Sequence, residues 1–154
     1  MGIVVRKNAF FRKGDIFMKA VYPVIFTETE DVILVEVPDF QILTEGKDMA
    51  DAIGMARDAI GITGISMEDA EEEIPKPSKM SDISLENGTF AEEGKSFLSL
   101  VDIDFLVYRK QLDNKTVRRN VTLPNWLNRE VDKAQINVSK VLREALMAKL
   151  GISR

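Results

Sequence analysis

Arg118, Asn120 and Thr122 stand two apart in the run Thr116-Val117-Arg118-Arg119-Asn120-Val121-Thr122-Leu123-Pro124. A β-strand sends alternate side chains to opposite faces. As a strand, this run would carry the three polar groups on one face, with Val117, Val121 and Leu123 on the other. The chemistry open to that polar face is base recognition. Arginine grips guanine through two hydrogen bonds, asparagine grips adenine, and threonine offers a hydroxyl and a methyl. A solvated strand face is the bland alternative. Arg119 falls on the apolar parity and either reaches phosphate from the strand edge or only snorkels. Asn137, Val138 and Ser139 open a later helical pattern, where free backbone N–H groups suit a phosphate and Asn137 suits an N-cap.

The elements that must position these residues are short. Pro124 stops the strand and suits the first turn of a helix. From Pro124 to Gln135, Leu127, Val131 and Ala134 make one apolar stripe. After Asn137, the residues Val138, Val141, Leu142, Ala145, Leu146 and Leu150 make a wide apolar face, and Gly151 is placed to end it. A strand and two helices within residues 116–154 cannot bury a sufficient core, and a unit below about 40 residues needs metal, disulfide or oligomerisation. The sequence has no Cys and no His, which leaves oligomerisation. A two-fold dimer pairing its strands antiparallel covers both open edges. Polar-face strand, proline, helix, N-cap and helix, in that order, resemble the ribbon-helix-helix DNA-binding module. In that family the base-reading strand positions correspond to Arg118, Asn120 and Thr122, and Asn137-Val138-Ser139 resembles its phosphate-anchoring turn.

The lack of His and Cys also removes Ser-His-Asp, Cys-His and thiolate-metal chemistry. Asp102 and Asp104 share a strand face, as Mg²⁺-holding carboxylates of a nuclease would. No further acids converge on them by sequence, Asp39 and Asp48 included. The expectation is therefore no catalytic residue, no metal, no cofactor and no enzyme. No run of about 18 apolar residues is present, so no membrane span is expected. The opening residues lack a continuous apolar stretch and a cleavage site, so the expected location is cytoplasmic.

Charge is divided unevenly. Residues 107–154 hold 11 Lys and Arg against 4 Asp and Glu, net +7; residues 1–106 hold 10 against 21, net −11. A basic tail on an acidic body implies two partners: nucleic acid for the tail and something basic for the body. Glu28, Glu30, Asp31, Glu36 and Asp39 form an acidic edge able to steer a basic protein, although an ordinary solvated edge would look the same.

Taken in order, residues 1–18 read as an extension, native or an upstream-start artefact, with a second start at Met18-Lys19. Residues 20–26 read as a strand in which Pro23 argues for an edge or bulge. Glu28–Asp31 is a polar turn, and 32–37 is a strongly β-prone strand. Phe40–Thr44 is a short third strand. Asp48 is a good N-cap for a helix marked by Met49, Ala52, Ile53, Ala56 and Ile60, with Gly61 and Gly64 weakening its last turns. Pro75-Lys76-Pro77-Ser78 is a loop, Asn87-Gly88 a turn, and Phe97–Phe105 the last strand of the body. Residues 106–115 read as a polar linker.

The predicted fold is α+β: a β-β-β-α-β domain over 19–105, then the 116–154 module. This order, the Pro75–Ser78 loop, the Asp102-Ile103-Asp104 strand and the Arg118–Pro124 entry resemble the HicB family of antitoxins, over about residues 19–151. The family's glycine-rich hairpin turn has no counterpart in Glu28–Asp31. The resemblance implies an incomplete RNase-H-like domain that binds a HicA-like mRNA interferase toxin through a surface such as the acidic edge. It also implies a ribbon-helix-helix homodimer that binds operator DNA and represses its own operon, with dimer against tetramer left open. The alternative reading is a ligand-responsive ribbon-helix-helix regulator.

Overall fold

The computed structural model describes residues 19–152. The extension expected over 1–18 lies outside them. The described residues form two compact units, 19–114 and 115–152.

The first unit is built on a four-stranded antiparallel sheet. Its strands are β1 (Lys19–Glu28), β2 (Ile33–Val37), β3 (Ile42–Gly46) and β4 (Lys95–Asp104), in spatial order β3-β2-β1-β4. β1 is central because it is the most apolar stretch, buried on both faces from Tyr22 to Thr27. The Glu28–Asp31 turn closes without glycine: the Thr29 hydroxyl donates to the Val32 carbonyl at 2.7 Å and accepts from its N–H at 3.1 Å. Pro23 sits in the central strand, not at an edge. The β1–β2 ladder starts only at Ile25, and Pro23 is paired with Leu100 of β4 alone.

Helix α1 (Met49–Asp69) covers one face of the sheet. The Asp48 carboxylate caps it by accepting from the Asp51 N–H at 2.9 Å. Ala52, Ala56 and Ile60 pack on Tyr22, Val24, Phe26, Val35, Val37, Val101 and Ile103, all buried. This corrects one expectation. Gly61 and Gly64 do not loosen the end of the helix, which runs two further turns to Asp69. They are packing sites. A Cβ on Gly61 would meet the Tyr108 ring at 2.7–2.9 Å, and one on Gly64 would run into the Phe105 ring.

Those rings introduce a second correction. Residues 106–115 are not a linker: Phe105–Leu112 form helix α2, which packs on α1. Phe105 opens this helix instead of closing β4. Asp104 caps it, accepting from the Val107 N–H at 3.0 Å. Arg109 on α2 holds the end of α1 through Glu68 at 2.5 Å and Asp69 at 2.8 Å. The first unit therefore extends past residue 105.

The second unit contains α3 (Asn125–Lys133) and α4 (Val138–Lys149). Pro124 stands at the N-cap of α3, and Gly151 follows α4 with φ +67°, as its position after the last apolar residue requires. The strand expected over 116–124 is not formed in the single chain: residues 113–124 carry no helix or strand. A strand exists only with a partner to share its ladder, and this unit supplies no second one. Among the described residues no helix is long and apolar enough to cross a membrane.

The glycine contacts make a paired prediction. Gly61→Val forces a side chain into Tyr108 and should destabilise the chain by about 1–3 kcal/mol. Gly54 has nothing within 4 Å of a built Cβ, so Gly54→Ala should instead stabilise by about 0.5–1 kcal/mol. Thermal or urea unfolding of the two variants checks the opposite signs.

Candidate functional site

Arg118, Arg119, Asn120 and Thr122 all lie in the exposed 113–124 segment. Among the described residues their side chains make no hydrogen bond or ion pair. The segment presents them to solvent, but the single chain does not sort them onto one face, because there is no ladder to impose the alternation. Asn137 is found where expected. Its side-chain oxygen accepts from the Lys140 N–H at 2.9 Å, and its carbonyl takes the first helical bond from Val141. Ser139 is exposed and Val138 half-buried beside it. The amides of the first turn of α4 have no carbonyl ahead of them in the helix, so capping and anion binding are compatible there.

The apolar residues of this unit are the more telling feature. Neither α3 nor α4 buries a single residue. Val141 is 51 %, Leu146 53 % and Leu150 46 % exposed, and Leu127, Val131, Val138 and Leu142 are only half-buried. Trp126 at 67 % exposure was not singled out by the sequence reading. It lies off the Leu127–Val131 stripe, so helical spacing gave no reason to mark it.

The acidic edge of the first unit divides. Glu28, Glu30 and Asp31 cluster exposed at the tip of the β1–β2 hairpin. Glu36 and Asp39 are engaged inside the fold. The Glu36 carboxylate accepts from the Thr89 N–H at 2.7 Å and from its hydroxyl at 3.1 Å. The Asp39 carboxylate accepts from the Ser78 N–H at 3.0 Å and its hydroxyl at 2.5 Å. These two acids fasten the long stretch between α1 and β4 onto the sheet. Tyr22 adds a third fastening by donating to the Pro75 carbonyl at 2.8 Å.

Asp102 and Asp104 are also engaged. Asp102 is exposed and pairs with Arg57 of α1 at 2.8 Å. The hydrogen bond from Arg57, and then its charge, hold the Asp102 carboxyl below the usual carboxylate range. Asp104 caps α2. Among the described residues no group of three or more acids is placed to hold a metal ion.

The family model described as the HicB-like antitoxin of bacterial toxin-antitoxin systems matches residues 22–151. The chain belongs to this family. Among solved structures it is similar to a chain of the toxin-antitoxin complex from Streptococcus pneumoniae. The identity is 25 %, over 86 % of this chain and 99 % of that one, with a TM-score of 0.54. It is also similar to the antitoxin HicB of Burkholderia pseudomallei: 24 % identity, 86 % and 97 % coverage, TM-score 0.44. No curated protein matches. The α+β sheet-and-helix architecture is similar to that of the Streptococcus pneumoniae chain, and by its family the chain is a HicB-like antitoxin of a toxin-antitoxin system.

The two tyrosines give a prediction of pH dependence. Burial, and then the negative charge of Asp39, push the Tyr22 hydroxyl well above its ordinary value. Burial, and then its hydrogen bond to Asp58, raise Tyr108 to about 12. The folded state favours both neutral phenols, so stability is full below about pH 10, the unfolded value. It falls as pH rises from there through the folded values. Phenolate absorbance of the native protein should rise well above pH 10, whereas the chain in denaturant should titrate with a midpoint of about 10. A native midpoint equal to the denatured one would contradict the buried arrangement.

Proposed function

We propose that this antitoxin neutralises a small basic mRNA-cleaving toxin with its first unit and represses its own operon with its second. In this reading two copies of residues 116–124 pair as an antiparallel ribbon. The α3 and α4 stripes of both copies close over each other beneath it, giving a ribbon-helix-helix homodimer. The observation that carries the reading is the absence of any buried residue in α3 and α4. Two amphipathic helices with half-open apolar faces have no core until a second copy supplies one. A two-stranded ribbon fits the major groove of DNA. It would present Arg118, Asn120 and Thr122 from each copy, with Arg119 at the phosphates and the Asn137-Val138-Ser139 turn holding a backbone phosphate. Residues 115–154 carry 9 Lys and Arg against 3 Asp and Glu, net +6, which suits a polyanion.

We read the first unit as an incomplete RNase-H-like domain, on its strand order and single covering helix. Asp102 and Asp104 already serve Arg57 and the α2 cap, so occlusion of the toxin and not catalysis is the proposed action. Residues 1–114 carry 12 Lys and Arg against 22 Asp and Glu, net −10. That charge suits a basic partner. Of the acidic edge, Glu28, Glu30 and Asp31 stand open to such a partner, and Glu36 and Asp39 act indirectly by holding the adjoining loops.

Two measurements test the reading. Arg118→Ala with Asn120→Ala removes base contacts worth about 1–3 kcal/mol each. The double variant should lower operator affinity by about 100-fold or more while toxin binding is unchanged. Retained operator affinity at physiological salt would sink the strand as reader. Leu142→Asp should turn the dimer into monomers by sedimentation and abolish operator binding, with the melting of the first unit preserved. A variant still dimeric through residues 116–154 would contradict the shared core.

A further inference from the structure

β4 is an outermost strand of ten residues, the longest edge of the sheet. Two observations bear on which of its main-chain groups face outward. The Asp102 carbonyl is taken by a side chain of α1, accepting from Arg57 Nε at 3.1 Å. Pro23, opposite Leu100, shares the odd parity of Thr29, whose N–H donates across the β1–β2 turn to the Val32 carbonyl at 3.1 Å, so this parity of β1 turns its main-chain groups toward β2 and not toward β4. In an antiparallel ladder a residue's N–H and C=O point to the same side, and successive residues alternate. Ser96, Leu98 and Leu100 therefore turn their main-chain donors and acceptors away from the sheet. Among the described residues no main-chain group bonds to them from that side.

Sheet edges are normally blunted by lysine, proline, a bulge or a covering element. The segment Ser96-Phe97-Leu98-Ser99-Leu100-Val101 has no charge, proline or glycine. Guards stand only at its ends: Lys95 on one side and the Arg57–Asp102 pair on the other. Leu100 is 51 % exposed, and Val21, its diagonal neighbour on the adjacent strand, is 47 % exposed. β3, the opposite edge, is half as long and ends in a buried glycine.

We propose that the outer edge of β4 from Ser96 to Leu100 accepts a β-strand of a basic protein partner, which extends the sheet to five strands. Main-chain hydrogen bonds supply the affinity and the Leu100–Val21 surface takes an apolar side chain of the added strand. Charge selects the occupant. A second copy would set one unit of net −10 against another, whereas a cationic strand is attracted. This inference rests on the reading of the partner as a basic toxin and assigns it a place.

The experiment uses the full chain co-expressed with the small basic protein encoded beside it. Hydrogen exchange of the complex should slow at the Leu98 and Leu100 amides relative to the antitoxin alone. Leu100→Pro deletes one outward N–H and leaves the β1 ladder intact. Leu100→Lys restores a guard without touching the main chain. Each should weaken the complex by about 30-fold or more, with melting temperature and operator binding unchanged, and Leu43→Lys on the opposite edge should have no such effect. Wild-type affinity in Leu100→Lys together with unprotected Leu98 and Leu100 amides would overturn the β4 site and leave the antitoxin reading standing. No complex with the wild-type chain would overturn both. Protection of these amides in the antitoxin alone would assign the edge to this chain itself and overturn the basic partner.

Discussion

The first unit depends on how closely α1 can approach the sheet. Its inward face sets small residues, Ala52 and Ala56, beside Ile60, then Gly61 and Gly64 where α2 crosses. Large rings come from the other side: Tyr22 and Phe26 from β1, Phe105 and Tyr108 from α2. Small-against-large packing brings the layers to native density without strained rotamers. It also explains why the helix tolerates two glycines near its end. The entropy they lose is offset by rings that no other residue would admit.

The second unit is the opposite case. α4 is capped by Asn137 and by the turn at Gly151, and both helices are amphipathic, yet neither buries a residue. Local propensity and capping decide where a helix starts and stops. They do not create a core. One chain therefore carries a unit with a closed core and a unit whose apolar helix faces stay half open.

Much of this was legible in the amino-acid order, and the reasons are physical. β2 and the start of α1 were visible because Val32–Val37 holds four β-branched residues, Val32, Ile33, Val35 and Val37, and Asp48 is a clear N-cap. The boundaries of α4 followed from Asn137 and Gly151. Three features were not legible. Leu106–Leu112 looked polar because α2 buries only Phe105 and leans on α1 through Tyr108 and Arg109, contacts between residues 40 to 50 apart. Gly61 and Gly64 carried a breaker signal whose cancellation lies in those same distant rings. Glu36 and Asp39 read as free charges because Thr89 and Ser78, their partners, lie in stretches without periodic pattern. The alternation over 116–124 was legible as a pattern, but a strand needs a paired neighbour, and the single chain forms none there.

The pairing of β1 with β4 also governs when the molecule can come into being. Thr27 faces Ser96 and Lys19 faces Asp104, so the central strand waits for a neighbour made about 70 to 85 residues later. Contacts this far apart close slowly. During synthesis, β1 with β2 and β3 emerges first and shows an apolar flank until β4 leaves the ribosome. The nascent antitoxin thus passes through a vulnerable interval in which a chaperone or a protease meets the very strand that later becomes its innermost part.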